Sequence, residues 1–289
     1  MKISDILKSK KRTLSFEVFP PKTTDKYASV IRATGQIAAL QPDFMSVTYG
    51  AGGGTSDFTA DVARNIKYIF EVEVLAHLTC VSSTKEHVKK MIEKYKENDI
   101  ENILALRGDI PSDGNICSDY RYASDLISEI RSDHSNDFCI GGGCYPECHP
   151  EAENLDSDIE HMKIKVDSGC DFLTTQLFMD NEVFLRYFEK AVNAGINVPI
   201  IAGIMPITNP KTLRRSIEMS GTFVPERFLK IMDKFGDNSK AMAQAGIIYA
   251  TEQCIELFSY GINNIHIYTM NKPEVASAIK NNLKDFLDN

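Results

Sequence analysis

Short runs of β-branched and other apolar residues alternate with amphipathic segments along the whole chain, and this alternation limits the possible folds more than any other sequence feature. Eight strand candidates begin near Leu14, Asp43, Glu73, Asn102, Phe138, Asp171, Val198 and Asn264. Six of the seven intervals between these starts span 27 to 36 residues, and the last spans 66. Such an order is typical of a parallel sheet with crossover helices.

Seven amphipathic segments fit crossover helices, and they cover residues 57–70, 84–96, 121–133, 155–168, 181–194, 209–219 and 273–286. The long last interval has room for one or two additional helices, at 225–235 and 239–259. Eight strands with eight crossovers predict a (β/α)8 TIM barrel. Because we find no linker, repeat or shift in composition, we predict one domain over residues 1–289. A doubly wound open sheet is the alternative.

The composition excludes several broad classes of protein. With 43% hydrophobic and 25% charged residues, the chain as a whole is neither disordered nor fibrous. The 32 basic and 40 acidic residues give a net charge of −8, so we expect neither nucleic acid nor an anionic membrane surface as partner. The uncharged run 191–210 is interrupted by Gly195, Pro199, Gly203 and Pro206 and does not fit a continuous membrane helix.

Cysteine usage and the first residues of the chain bear on its compartment. Seven cysteines, an odd number in a long chain, predict reduced thiols and no disulfide framework. The first residues, MKISDILKSKKRTLSF, carry an acid within a short apolar stretch, which does not fit a secretory signal peptide. Both features predict a cytoplasmic protein.

Polar side chains are frequent where the predicted strands end. In a parallel barrel the loops that follow the strands build the catalytic face, so candidate site residues are sought there. The polar residues at these ends are Glu17, Thr48, Tyr49, His77, Arg107, Asp109, Tyr145, His149, Gln176 and Lys272.

Glu17 lies in the first strand, where side chains alternate between two faces. Phe16 and Val18 share one face, and Ser15 and Glu17 share the other. If the bulky face meets the helices, Glu17 points into the barrel, where loss of water favours the protonated carboxyl that a general acid needs. A structural Glu paired with a barrel Arg or Lys is an equally good interpretation.

Two glycine-containing motifs have both a functional and a structural interpretation. Residues 49–56 bring a glycine run to a helix start, which suits a phosphate, but the spacing is neither a Walker A motif nor G-x-G-x-x-G. A flexible loop fits as well. Arg107 and Asp109 flank Gly108 and offer a cation and an acceptor to a polar ligand, whereas a salt bridge or turn explains the same spacing.

The segment Cys144–His149 contains zinc-ligand residue types without zinc-site spacing. A second ligand pair is lacking, and adjacent Cys148 and His149 diverge on an extended backbone. We therefore expect no metal site. His149 as a polar contact to a ligand is the preferred interpretation, and a structural histidine is the alternative.

Two further sets of polar residues suit ligand contacts. Asp158, His161 and Lys165 share one helix face, which is either a solvated charged face or, if it turns toward the barrel mouth, a diphosphate contact through Lys165. The amide of Gln176 donates and accepts at once, which suits the edge of a heteroaromatic ring, although a buried amide with internal partners is the alternative.

Nine motifs follow one another in a fixed order: SFEVFPP (15–21), SVTYGA (46–51), AHLTC (76–80), ALRGD (105–109), YASDL (122–126), YPECHPEA (145–152), TQLF (175–178), GIMP (203–206) and YTMNK (268–272). Together they cover essentially the whole chain, and in this order they resemble the methylenetetrahydrofolate reductase family. The length is similar to the compact bacterial form, which lacks the C-terminal regulatory domain of the eukaryotic enzymes.

The resemblance implies a TIM barrel that carries non-covalent FAD and assembles as a homo-oligomer. Reduced nicotinamide, NADH or NADPH, gives a hydride to the flavin and leaves. Methylenetetrahydrofolate then takes its place and is reduced to methyltetrahydrofolate for methionine synthesis, so that the two substrates alternate in a ping-pong scheme.

The resemblance also implies residue roles. Glu17 matches the acid that protonates the folate, and Asp109 matches an aspartate near the flavin and the pterin, where a negative charge favours a cationic folate intermediate. Gln176 matches a contact to folate and nicotinamide, and Thr48 matches a nicotinamide contact. The positions matching FAD contacts are Tyr49, Ala51, His77, Arg107, Gly108, Asp109, Tyr122, Ala123, Tyr145, His149, Asp158, His161 and Lys165.

The chain departs from the family pattern at several of these positions. His161 and Ile164 stand where bacterial relatives carry asparagine and arginine. Lys272 and Thr212, at folate-binding positions, replace an expected arginine and glutamine, and Ser216 replaces a pocket phenylalanine. Lysine lacks the bidentate fork of arginine, so these changes bear on folate affinity and tail preference. The loop from Asp109 to Tyr122 is also slightly longer than in relatives.

Two other functions compete with the flavoenzyme. One is a metal-dependent barrel lyase or hydrolase that uses Glu17, His77, Cys148 and His149. The other is a nucleotide-binding regulatory protein without catalysis. Flavin colour and its bleaching by reduced nicotinamide discriminate among the three.

Overall fold

The computed structural model describes residues 1–50, 56–110, 116 and 119–287 of the chain. Its strands are β1 (Thr13–Val18), β2 (Met45–Val47), β3 (Val74–Thr79), β4 (Asn102–Leu106), β5 (Cys139–Cys144), β6 (Phe172–Thr175), β7 (Ile200–Ile204) and β8 (Asn264–Tyr268). They pair in parallel in chain order, and β1 also pairs with β8, so the sheet closes into a barrel. This confirms the predicted (β/α)8 barrel, and the open-sheet alternative is wrong.

The helices are α1 (Ile3–Ser9), α2 (Tyr27–Ala38), α3 (Ser56–Tyr68), α4 (Lys85–Glu97), α5 (Ala123–His134), α6 (Leu155–Asp167), α7 (Asn181–Asn193), α8 (Pro210–Ser220), α9 (Glu226–Phe235), α10 (Ser239–Ser259) and α11 (Pro273–Leu287). The two additional helices before the last strand are confirmed as α9 and α10. Helices α1 and α2 have no counterpart among the predicted segments. In the described part of the chain, no helix combines the length and apolar character needed to cross a bilayer.

Side-chain caps define where several helices begin. A side-chain oxygen of the residue before the helix accepts a backbone N–H of the first turn at α4, α6, α7, α8 and α10. Each cap satisfies a donor that the helix itself leaves unpaired. The Asn154 cap is reciprocated by Ser157, which fixes the start of α6 close to the end of β5.

The barrel interior has an apolar floor at its N-terminal end. Ile3, Ile6 and Leu7 of α1 are buried in one cluster with inward residues of the strands, namely Phe44, Leu75, Leu104, Cys139, Phe172 and Ile201. The backbone N–H of Ile3 donates to Oδ1 of Asn102 at 2.8 Å, which anchors the helix to β4. Helix α1 therefore closes this end of the barrel with side chains that lose contact with water.

Glycines on β5 and β7 make room for large inward side chains. A Cβ on Gly141 would lie 2.5 Å from the ring of Phe172, and one on Gly203 would lie 2.4 Å from the carbonyl oxygen of Thr175 and 2.7 Å from the Tyr268 hydroxyl. Both positions require glycine because of close approach. They allow Phe172 to complete the floor and Tyr268 to occupy the interior above it.

Truncation of Ile3 tests the contribution of the floor. Ile3→Ala removes a fully buried side chain from a packed cluster, so we expect a loss of about 2–5 kcal/mol in the free energy of unfolding, measured by urea denaturation. The control is Ile69→Ala, at a side chain that is 65% exposed, which should change stability little. Equal effects of the two substitutions would contradict the packing described here.

Candidate active site

A cavity of about 990 Å³ occupies the upper part of the barrel and its mouth. The predicted site residues that line it are Glu17, Thr48, Tyr49, His77, Arg107, Gly108, Asp109, Tyr122, Ala123, Tyr145, His149, Asp158, His161, Lys165, Gln176 and Thr212. Ala51 lies outside the described residues. Lys272 is not part of this lining, and its Nζ donates to Oγ1 of Thr208 at 2.7 Å.

Glu17 lies deep in this cavity and is 5% exposed, in the inward position that the alternation of β1 predicts. Its Oε2 lies 3.3 Å from Oγ of Ser46, 3.6 Å from Nε2 of His77 and 3.8 Å from Nε2 of His266. The paired residues come from β1, β2, β3 and β8, so four neighbouring strands hold one carboxyl group. In the described residues, Glu17 forms no ion pair with an arginine or lysine, as it would if its role were purely structural.

His77 is neutral in this environment. Burial lowers its pKa from 6.5 to about 4, against the opposing attraction of Glu17, because the imidazolium loses its hydration inside the barrel. Its Nε2 is buried, and so is Oγ1 of Thr174, and both lack a hydrogen-bond partner within the described part of the chain. Unpaired buried polar atoms are costly, and both residues belong to the cavity lining.

Charged residues cluster at the mouth of the cavity. Arg107 donates from both terminal nitrogens to the carboxylate of Glu151, at 2.6 Å each, which raises the pKa of Arg107 and lowers that of Glu151. Arg107 is thus paired with a residue of the β5–α6 loop, and not with Asp109 as the salt-bridge interpretation held. Gly108 has a φ of +85°, and a Cβ there would lie 2.9 Å from that of Thr79, so the turn before Asp109 requires glycine.

The β5–α6 loop and the first turns of α6 form a second wall. The carboxylate of Asp158 accepts the backbone N–H of His149 at 2.9 Å, and the rings of His149 and Tyr145 meet edge to face with centroids 4.6 Å apart. Lys165 reaches the carbonyl oxygen of Gly143. Asp158, His161 and Lys165 all line the cavity, so their helix face turns toward the mouth.

Two tyrosine hydroxyls in the lining remain protonated at neutral pH. Burial raises the pKa of Tyr49 and of Tyr145 to about 12 in each case. Both residues can therefore donate hydrogen bonds. The amide oxygen of Gln176 accepts the backbone N–H of Leu177 at 2.8 Å, which fixes the orientation of the amide.

The lining includes residues that the sequence analysis missed, most notably His266, Tyr268 and Glu151. Asn264, His266 and Tyr268 alternate with two isoleucines in β8, which is the same signal that placed Glu17 inside the barrel. The sequence pattern could not identify Glu151, because its partner Arg107 lies 44 positions earlier in the chain.

The structure does not bring together all the residues that the metal-site alternative requires. Glu17 and His77 meet inside the barrel, whereas Cys148 belongs to the β5–α6 loop, outside the main cavity lining. Across the described residues, no three His, Cys, Asp or Glu side chains are grouped closely enough to hold one ion.

Comparison with known proteins agrees with the motif order. The family model of methylenetetrahydrofolate reductase matches residues 2–284. The chain belongs to this family. Among curated relatives, the 5,10-methylenetetrahydrofolate reductase of Escherichia coli (strain K12) is 35% identical over 266 residues, which are 92% of this chain and 88% of that protein.

Longer relatives exist in the methylenetetrahydrofolate reductase family. Methylenetetrahydrofolate reductase (NADH) 1 of Arabidopsis thaliana is 35% identical over 295 residues, and the match covers 98% of this chain but 50% of that protein. The chain thus spans about half the length of the plant relative. A solved structure, described as an uncharacterized protein from Clostridium thermocellum that binds two copies of 5-methyl-5,6,7,8-tetrahydrofolic acid, matches all of this chain and 99% of its own with a TM-score of 0.70. At 17% identity it shows the fold alone.

The neutral state of His77 predicts a pH dependence of stability. In the unfolded chain this histidine takes up a proton below its ordinary pKa of 6.5, whereas in the folded protein it stays neutral down to about pH 4. Stability is therefore lost as the pH falls through this window, by roughly 3 kcal/mol at most.

We expect His77→Gln to remove this part of the acid sensitivity, as measured by urea unfolding at pH 7 and pH 4.5. The control is His161→Gln, at an exposed histidine, which should keep the wild-type slope. An unchanged slope in His77→Gln would show that His77 is charged in the folded protein.

Proposed function

We propose that this protein reduces 5,10-methylenetetrahydrofolate to 5-methyltetrahydrofolate, with non-covalent FAD at the barrel mouth and NADH or NADPH as hydride source. The observation that carries the proposal is the buried Glu17 carboxyl in a cavity whose mouth is lined by cations and hydrogen-bond donors, in a chain of this family. The folate bound by the Clostridium thermocellum protein supports a folate site in this fold, and the name of the plant relative supports NADH.

The donor set of the cavity fits FAD. Lys165 and Arg107, the latter shared with Glu151, supply positive charge for a diphosphate. The hydroxyls of Tyr145 and Tyr49, the latter shared with His87, supply neutral donors. The other predicted FAD contacts described here surround these residues in the lining: His77, Gly108, Asp109, Tyr122, Ala123, His149, Asp158 and His161. When bound, FAD supplies a ring that accepts a hydride from reduced nicotinamide and delivers it to the folate in alternate half-reactions.

Glu17 acts as the general acid toward the folate in this proposal. The basic side chains within 4 Å of its carboxyl group are the imidazoles of His77 and His266, and no lysine or arginine of the described residues forms an ion pair with it. A buried carboxyl without a fixed cation can carry a proton to the substrate. Protonation opens the bridging ring of the folate and makes its one-carbon unit an electrophile.

Asp109 and several neutral side chains orient the substrates. Asp109 is exposed at the mouth, where its negative charge favours the cationic form of the folate, although water screens this effect. Gln176, Thr48 and Thr212 line the cavity as further contacts to folate or nicotinamide. Lys272 can reach the folate only if its ammonium leaves Thr208, and as a single point charge it lacks the fork of an arginine.

We also propose that the protein acts in the cytoplasm and assembles as a homo-oligomer. The six described cysteines are all free thiols, which supports a reducing compartment. The proposal of a homo-oligomer rests on the family resemblance.

Anaerobic spectroscopy tests the proposed function. The purified protein, supplied with FAD, should show an oxidised-flavin spectrum that is bleached by NADH or NADPH and restored by methylenetetrahydrofolate. Comparison of the two nicotinamides gives the preferred donor. Failure to retain flavin in the presence of excess FAD would refute the proposal.

Glu17→Gln separates the two half-reactions. The variant should be bleached by reduced nicotinamide at the wild-type rate, while its reoxidation by folate slows by about 100-fold or more, because the amide cannot donate the proton. Stopped-flow absorbance measures both rates. The control is Glu129→Gln, outside the cavity, where the carboxylate accepts from Tyr120. A loss of similar size in both half-reactions would contradict the assigned role.

A further inference from the structure

A chain of hydrogen bonds runs from Glu17 through Ser46 and His266 to Ser15, inside the barrel and below the cavity. Oγ of Ser46 lies 3.3 Å from Oε2 of Glu17 and 3.1 Å from Nε2 of His266. Nδ1 of the same imidazole lies 2.7 Å from Oγ of Ser15, and the Ser15 hydroxyl donates to the carbonyl oxygen of Ile265 at 3.2 Å. All four side chains are buried.

The direction of this chain follows from counting protons. The Ser15 hydroxyl has one proton and two partners; where it donates to the carbonyl oxygen of Ile265, which can only accept, Ser15 accepts from Nδ1–H of His266. In a neutral imidazole Nε2 then carries no proton and accepts from the Ser46 hydroxyl. In this tautomer Ser46 has no second proton to give, so its contact with Oε2 of Glu17 is a hydrogen bond only if Glu17 donates.

As long as Nδ1–H of His266 stays bonded to Ser15, the ionised form of Glu17 requires a different state of the same chain. A carboxylate accepts the Ser46 proton, Ser46 then accepts from Nε2–H, and His266 becomes an imidazolium because Nδ1–H is still used by Ser15. The two states differ by one proton moving from Glu17 to Ser46 and one from Ser46 to His266, with no net gain or loss. The charged state places two ions at sites that are 5% and 2% exposed, which disfavours it.

We propose that Ser46 and His266 are positioning residues that hold the proton on Glu17. This inference rests on the function proposed above, in which Glu17 gives that proton to the folate. Once Glu17 is ionised, the Ser46 proton turns to the carboxylate and leaves Nε2 of His266 without a donor. The mismatch drives Glu17 to take up a new proton, so the chain restores the acid for the next turnover.

The surroundings of His266 favour the same assignment. The ring stacks on Phe44 with centroids 6.0 Å apart and meets Tyr268 edge to face at 5.4 Å. These contacts fix the plane of the imidazole, so its two nitrogens cannot exchange partners without repacking. The other titratable groups beside Glu17 are His77, which is neutral and makes no hydrogen bond through Nε2 in the described structure, and Tyr268, whose pKa is raised well above 10 by burial.

Nitrogen-15 NMR of histidine-labelled protein tests the arrangement directly. The His266 signals, assigned by their loss in His266→Gln, should be those of a neutral ring protonated on Nδ1 alone. A proton on Nε2, in either a neutral or a charged ring, would overturn the proposal, since Ser46 would then not need a proton from Glu17. This measurement does not depend on the identity of the substrates.

Kinetics of Ser46→Ala tests the consequence for the acid. In the holoenzyme, flavin reduction by nicotinamide should be unchanged, which also verifies folding and FAD binding. Reoxidation by folate should slow by about tenfold or more and show a displaced pH dependence, because the proton on Glu17 loses its acceptor. Ser46→Thr keeps the hydroxyl and should restore most of the rate.

Thr34→Val is the control, since it removes a buried hydroxyl that donates to Val30 within α2, outside the cavity lining. It should leave both half-reactions unchanged. A folate half-reaction within about twofold of wild type in Ser46→Ala would refute the positioning role while leaving the proposed reductase intact. Absence of folate turnover in the wild type would instead refute the reductase, with the NMR result still deciding the proton chain.

Discussion

The whole site depends on one carboxyl group held inside a barrel without a fixed cation. Glu17 is surrounded by Ser46, His77 and His266, and each of these comes from a different strand. Burial keeps His77 neutral, because the imidazolium would lose its hydration there. In the described residues, no lysine or arginine forms an ion pair with this carboxyl group.

Two unlike layers make this arrangement stable. Below, α1 and the inward residues of the strands form a dry floor, and above it Tyr268 and the Glu17 cluster face the cavity. Gly203 allows Tyr268 to lie against β7, and Gly141 allows Phe172 to fill the floor. Glu17 and its neighbours lie on strands, the most rigid part of the fold, whereas Arg107 follows the end of β4 and Lys165 lies in the last turn of α6.

Much of this could be predicted from the amino-acid sequence. The spacing of apolar runs predicted the eight strands, and the alternation in β1 predicted that Glu17 points inward. Both predictions succeeded because they depend only on local patterns. Helix α1 was not predicted, because a segment of seven residues with three apolar positions is too short to show a clear helical periodicity. The pairing of Arg107 with Glu151 could not be foreseen, since it is set by how two loops meet in space. Residues 51–55 carry the glycine run and lie outside the described residues, so neither the phosphate nor the flexible-loop interpretation of this run is tested.

The floor has a consequence for how the molecule is assembled. Ile3 lies in one cluster with Ile201, so α1 cannot make all of its packing contacts until nearly two hundred further residues have been synthesised. Contacts between such distant segments form late, because the entropy of closing a long loop must be overcome before they contribute. Phe44 and Leu75 reach the apolar face of α1 earlier along the chain, and its burial is complete only when β7 brings Ile201 to the base of the barrel.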